Sequence, residues 1–241
     1  MEIVPLGDSG LIVRVRERFE DAPEETLDTV LRVFQQLQDA TIPGVIELAP
    51  AYTSISVFFD PITVSKATET PDKVFDWFSE RVRGVVAAGA DRGNRRRAAP
   101  LGVRLVDIPV CYDAEFALDI DDVAGRANIS PSEVIRLHSA VEYRVACIGF
   151  VPGFPFLTGL PKKLATPRRD VPRKEIPVGS VGIGGAQTGI YPLRSPGGWN
   201  LIGRTPLRLF DPKKNPPALL RAGERVHFRK ITRDEFESLK G

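Results

Sequence analysis

Guanidinium groups dominate the chemistry this sequence can offer. The stretch KKLATPRRDVPRKE, residues 162–175, sets Lys162, Lys163, Arg168, Arg169, Arg173 and Lys174 around one intervening acid, Asp170. Pro167 and Pro172 stiffen the loop, so Arg168 and Arg173 are expected to be held rather than to sweep solvent. A held guanidinium suits a carboxylate or a phosphate, which it meets with parallel N–H donors. The competing reading is a solvated basic loop without a ligand.

Proton transfer has few carriers, because the chain holds two histidines. His227 alternates with Val226 and Phe228 and reads as the outer face of a strand. His138 closes a helix, where it either complements the helix dipole or takes a ligand-binding or proton-transfer role. Ser/His/Asp spacing, HExxH and cysteine–histidine patterns are all missing from the sequence. Hydrolase or metalloenzyme chemistry by this chain alone therefore lacks carriers, and no metal site is expected.

Three further patterns weaken on context. GWNLIGRT, residues 198–205, nearly matches GxxxxGK[ST] with Arg204 in place of lysine, but Pro206 follows at once and no helix start receives the amides. GIGGAQ, residues 182–187, puts Gln187 at the third glycine of the dinucleotide fingerprint. Its glycines either permit bulges in a curved sheet or form an anion-binding nest. VAGRANISPSEVIRLH, residues 123–138, has a helix-turn-helix cadence. Its second helix would offer Ser132, Glu133 and Arg136 beside a first helix crowded by Asp119, Asp121 and Asp122, too little positive charge for DNA. Ser130, Pro131 and Glu133 are accounted for by a capping box with proline at the first helical position.

The elements that position these residues fall into two groups. With 241 residues, 42% hydrophobic, the chain can bury one large core or two smaller ones. Its 33 basic and 31 acidic side chains nearly cancel, so no broad nucleic-acid or membrane surface is expected. The start MEIVPLGDSG lacks a leader pattern, and no apolar run approaches the roughly 18–20 residues of a membrane helix. Cys111 and Cys147 have no CxxC spacing, so a cytoplasmic protein with two buried thiols is expected.

Residues 10–16 read as a strand, and 23–40 as an amphipathic helix with Leu27, Val30, Leu31, Phe34 and Leu37 on one face. Runs 45–48 and 54–59 should pair as a hairpin. A second helix starts at a Thr70 cap with Pro71 and ends near Gly89. With 103–110 as a fourth strand, the pattern fits a small ferredoxin-like α/β domain over 1–90. A basic linker, 91–102, follows. Short strands at 143–148, 178–183, 189–193, 199–202, 207–210 and 225–231 then point to a β-barrel or sandwich over 103–241. A last helix begins at a capping box of Thr232 and Glu235.

Several passages in order, IPVCYD, EVIRLHSAVEYRV, IGFVPGFPFLTGL, PRRDVPRKEIPVGSVGIGGAQTGIYP and SPGGWNLIGRTPLRLFDP, resemble the KipI family, also called allophanate hydrolase subunit 1, and its 5-oxoprolinase branch most. The resemblance implies an α+β chain whose N-terminal ferredoxin-like domain is followed by a cyclophilin-like β-barrel. It also implies a non-autonomous enzyme component. Its partner would be the KipA-like C-type subunit of 5-oxoprolinase, and together with the A-type subunit they would cleave 5-oxoproline to L-glutamate. ATP with Mg2+ would serve the complex, with no cofactor bound by this chain alone.

Carried over by motif, His138, Arg168 and Arg173 are the candidate catalytic residues. Arg144, Phe150, Pro152, Gln187, Tyr191, Ser195 and Arg204 are candidates for substrate binding or the subunit interface. GFVPGFPFL would form a rigid aromatic-walled loop whose glycines admit a ligand or partner closely. The family pattern has glycines where Asp113 and Ala114 stand, and a tyrosine hydroxyl that Phe156 lacks. Other roles in the family remain open: KipI-type inhibition of a sensor histidine kinase, or the carboxyltransferase half of a urea carboxylase or allophanate system.

Overall fold

The structure is a computed structural model describing residues 1–68, 73–93 and 104–240. The chain divides into two compact units, Met1–Gly102 and Val103–Gly241.

The first unit is an antiparallel sheet in the order β1 (Glu2–Pro5), β2 (Gly10–Arg14), β4 (Ser54–Phe59), β3 (Val45–Ala51). Helix α1 (Pro23–Asp39) starts with proline in its first turn and buries Leu27, Val30, Val33 and Leu37. The sheet's inward residues Leu11, Val13, Ile55, Val57 and Phe59 join Val30, Val33 and Leu37 in one core. A helix not anticipated from sequence, α2 (Pro61–Ala67), is capped by Asp60, whose carboxylate accepts from the Ile62 amide at 3.0 Å. Helix α3 (Val74–Gly93) runs four residues past Gly89, because one glycine costs a helix only about 1 kcal/mol. The expected linker therefore begins as helix. The Thr70 cap and Pro71 lie outside the described residues.

The ferredoxin-like reading of the first unit is not confirmed, because the strand expected to complete it belongs to the second unit. That strand, 103–110, is β5 (Leu105–Cys111) of the second unit, where Ile108 and Val110 are fully buried. Beside β2 stands β1, a short N-terminal strand whose Pro5 and exposed ends hid it from a periodicity reading.

The second unit is a closed seven-stranded barrel in the order β6 (Glu142–Ile148), β13 (Arg225–Ile231), β5, β12 (Asn200–Arg204), β9 (Ser180–Gly184), β10 (Gln187–Ile190), β7 (Pro155–Thr158), which returns to β6. All neighbours are antiparallel except β13 and β5. Two short strands, β8 (Arg173–Ile176) and β11 (Ser195–Gly197), form a separate ribbon. Residues 207–210 form no strand; Phe210 makes one isolated bridge to Ala218.

Helices α4 (Ile120–Ala127) and α5 (Pro131–Ser139) pack on the barrel, joined through Asn128 in the left-handed conformation at φ 51°. The cap of α5 is as expected: Ser130 accepts from the Glu133 amide at 3.2 Å, with Pro131 in the first turn. Arg136, the one base that helix would offer to DNA, is tied bidentately to Glu133 at 2.7 Å. Helix α6 (Arg233–Ser238) starts at the Thr232 cap, and both cysteines are buried thiols outside any disulfide.

Candidate functional site

Strand β9 sorts its residues by size. Val181 and Ile183 point into the barrel core, and the alternate positions, Gly182 and Gly184, face outward. The outward glycines leave room for aromatic rings. A Cβ at Gly184 would stand 2.6 Å from the Trp199 indole, and one at Gly189 on β10 would stand 3.0 Å from the Phe154 ring. On β11, Gly197 makes the same space for the Tyr191 hydroxyl. Glycines and aromatics are therefore one device: bare backbone against which rings pack.

The resulting cluster sits on the outer face of the barrel and joins Phe154, Tyr191, Trp199, Ile176 and Leu201, with Val151 and Phe156 at its edge. Phe154 is its hub, edge-on to Tyr191 at 5.1 Å and to Trp199 at 5.4 Å. Phe150 closes the loop that carries it. This residue holds φ at 67°, a left-handed conformation disfavoured for a bulky side chain, while its ring remains 63% exposed. Backbone bonds fix the turn: the Gly149 amide donates to the Phe154 carbonyl at 3.1 Å and the Phe154 amide to the Val151 carbonyl at 3.1 Å.

Two arginines of the basic loop part company here. Arg173 donates to both oxygens of Asp119 at 2.8 and 2.7 Å, and Arg169 adds a bond at 2.6 Å. Asp119 is 1% exposed and also accepts from the Leu201 amide at 2.7 Å. Arg173 is thus an anchor of the loop, its guanidinium engaged by Asp119. Arg168 is exposed, lies 5.9 Å from the centroid of the Trp199 ring, and has no hydrogen bond or ion pair among the described residues. Burial raises the pKa of the Tyr191 phenol, opposed by a backbone hydrogen bond at Trp199 and by the Arg168 and Arg173 charges. Tyr191 is a neutral hydroxyl beside a free guanidinium.

His138 lies elsewhere, fully buried inside the barrel. The Thr188 hydroxyl donates to the Gly182 carbonyl at 3.0 Å, so it accepts from His138 Nε2–H at 3.0 Å. Nδ1 then accepts from the Tyr112 hydroxyl at 2.9 Å. The ring stacks on Phe228 at 4.5 Å, and desolvation lowers its pKa to about 3. Both nitrogens are used and the ring is neutral, so His138 is placed here as a buried, hydrogen-bonded core group, apart from the outer face.

Of the expected residues, Phe150, Pro152, Arg168 and Tyr191 share the outer face. Ser195 lies on β11 beside Ile176, its buried Oγ without a hydrogen-bond partner. Gln187 opens β10, half-buried. Arg144 is buried near the opposite end of β6 from the Phe150 loop, its Nε 3.4 Å from the Gly223 carbonyl. Arg204 ends β12 over the Phe116 ring. Asp119 and Trp199 were missed in the sequence. An aspartate before a helix reads as a cap, yet Asp119 makes no side-chain cap bond. The glycine of GIGGAQ at position 184, over which the indole packs, was the available signal for Trp199.

Residues 198–205 run into β12 with no helix following, so they are not a phosphate loop. Among the described residues, no group of three or more His, Cys, Asp or Glu is placed to hold a metal ion. Nor is any described helix long and apolar enough to cross a membrane.

The barrel and its outer face do not by themselves fix a function, but the sequence does fix a class: the chain belongs to the family described as "Carboxyltransferase domain, subdomain C and D", matched over residues 1–220. Within it, the sequence is 42% identical to the B-type subunit of 5-oxoprolinase from Bacillus subtilis (strain 168) over 239 residues, 99% of this chain and 96% of that protein. It is also 42% identical to the protein of the same name from Escherichia coli O157:H7, covering 83% of each chain. The solved structure of TTHA0988 superposes with a TM-score of 0.73 at 34% identity, covering 92% of this chain and 40% of that one. This chain thus spans about two fifths of that protein. A "Putative urea carboxylase" of Emericella nidulans is 26% identical over 136 residues, 52% of this chain and 11% of that protein. The resemblance drawn from the motifs of residues 108–212 holds, and the homologues' names make this chain a component of an enzyme.

Proposed function

We propose that this chain is the B-type subunit of an ATP-dependent 5-oxoprolinase, acting in the cytoplasm with a KipA-like C-type subunit and an A-type subunit to convert 5-oxoproline to L-glutamate. The homologues' names support the assignment. The observation that carries the chain's own part is the unpaired Arg168 guanidinium over Trp199, beside the Tyr191 hydroxyl and the strained Phe150 loop. Substrate 5-oxoproline is a small, flat lactam bearing one carboxylate. Arg168 pairs with that carboxylate, Tyr191 offers a neutral hydroxyl, and the aromatic wall excludes water from the ring.

Opening the lactam needs coupling to ATP, because an amide is a poor electrophile and five-membered closure is favourable. The nucleotide and its Mg2+ belong to the complex, and none of the residues described above is assigned a step upon them. The remaining surface of the face, Phe150 and Pro152, meets the partner protein. Similarity to a urea carboxylase favours a second reading, in which the same face serves a carboxyltransferase half and receives a carboxylated carrier.

The test reconstitutes the chain with its C-type and A-type partners and follows 5-oxoproline-dependent ATP hydrolysis and glutamate release, omitting each component in turn. Turnover is expected only with this chain present. Arg168→Ala should raise KM for 5-oxoproline about ten- to a hundredfold while shifting unfolding by no more than about 0.5 kcal/mol. Unchanged KM would remove Arg168 from the site, and glutamate release without this chain would end the assignment.

A further inference from the structure

A cavity of about 580 Å³ opens on the barrel near Arg204, at the other end of β12 from Trp199. Strand β12 begins at Asn200, opposite Ile183 and next to Trp199, and ends at Arg204, opposite Ser180. The two ends are about 13 Å apart at the usual strand rise. Val178, Leu193, Leu207, Phe210 and Phe236 supply apolar walls. Val178 and Leu193 remain 47% and 36% exposed at its rim.

Its charge is one-sided. Arg204, Arg208 and Lys240 line the cavity and no acid does. Two of the cations are already answered: Arg208 by Asp211 at 3.4 Å and Lys240 by Glu237 at 2.9 Å. Arg204 has neither hydrogen bond nor ion pair among the described residues, and its Nε is buried without an acceptor. Its one contact of note is the Phe116 ring, 4.7 Å below the guanidinium carbon, which holds the group flat without satisfying its N–H donors. A buried guanidinium donor facing no acceptor has a strong preference for an anion.

We infer that this cavity is a binding site for a small organic carboxylate with an apolar body, the carboxylate on Arg204 and the body along Leu207, Phe210 and Phe236. The volume is that of a small-molecule pocket. Barrel strand and the proline-bounded segments at 192, 206 and 212 build its walls, so the shape exists before the ligand arrives. The inference is independent of the role assigned to Arg168.

Isothermal titration of octanoate and of octanamide into the full chain separates the outcomes. Octanoate should bind saturably at one site, and octanamide, equal in shape but uncharged, at least about tenfold more weakly. Arg204→Met should remove that preference, and Leu193→Asp, a rim change that leaves the core untouched, should weaken octanoate by about tenfold through like-charge repulsion. Equal affinity for the two compounds would overturn the site, as would absence of saturable octanoate binding. Retention of the preference in a folded Arg204→Met chain would do the same.

Discussion

Inside the barrel and on its outer face, polar groups sit among aromatic rings, yet they are treated in opposite ways. His138 is enclosed by Tyr143 and Phe228, and each of its nitrogens has a partner. Arg168 rests on Trp199 with none among the described residues, and the same aromatic cluster reaches, through Phe154, a phenylalanine held in an unfavourable backbone conformation. A closed network specifies a fold, because each of its members would be costly to leave unpaired. A guanidinium answered by solvent alone, beside local strain, marks a candidate surface for something outside the chain. Histidine is the commoner catalytic residue, but here the state of hydrogen bonding, and not residue type, separates support from working surface.

The heaviest blow to this comparison would fall at Asp119, which supports the outer face from below. Asp119→Ala leaves the Arg169 and Arg173 guanidinium groups without their carboxylate and orphans the Leu201 amide. Breaking such a buried pair costs about 3–5 kcal/mol, to be read as a lower denaturant midpoint. A loss under about 1 kcal/mol would mean that water replaces the carboxylate readily. Arg173 would then be no more structural than Arg168, and the division between them would collapse.

That division could not be read from the sequence. PRRDVPRKE offers its arginines on equal terms, and the obvious acid, Asp170, is not their partner; the acid that binds two of them lies some fifty positions earlier. Long-range pairing leaves no local periodicity. What was legible was local: the helix over 23–39 from its apolar spacing, the Ser130 and Thr232 caps, and β13 from its alternation. The short strands β7, β8 and β11 were hidden, because runs of three or four residues carry too few alternations to count, and Pro or Gly in two of them blurs the pattern further. The aromatic loop was marked as a candidate site, but that glycines of β9, β10 and β11 make room for specific rings needed the register of the sheet.

Acid sharpens the other side of the comparison. The His138 pKa falls from 6.5 to about 3 on folding, so the unfolded chain takes up a proton first as pH drops. The stability this group contributes is full above pH 6.5 and is lost as pH falls through the window toward 3. The slope is about 1.4 kcal/mol per pH unit, or about 2 kcal/mol by pH 5. Urea unfolding of the wild-type chain and a His138→Phe chain at pH 7 and pH 5 isolates the contribution, since the variant lacks this slope whatever its starting stability. Equal slopes would show that His138 is hydrated or charged in the folded state, and the interior would lose its claim to be a closed network.

The smallest effect is the most discriminating, because its sign is unusual. Phe150 adopts φ 67° with most of its ring in solvent, so the folded chain gains little from the side chain and bears the cost of its conformation. Phe150→Gly removes the clash of Cβ with the backbone in that region and offsets the greater freedom of unfolded glycine. The variant should be more stable by up to about 1 kcal/mol in thermal unfolding. Its activity in the reconstituted complex, or its affinity for the partner protein, should nevertheless fall, because the ring is lost from the working face. Gain of stability with loss of function is the signature of strain kept for use. A Phe150→Gly chain that is less stable and fully active would mean that the ring edge-on to Phe154 at 5.7 Å is a packing contact, and that this loop belongs with the interior as support.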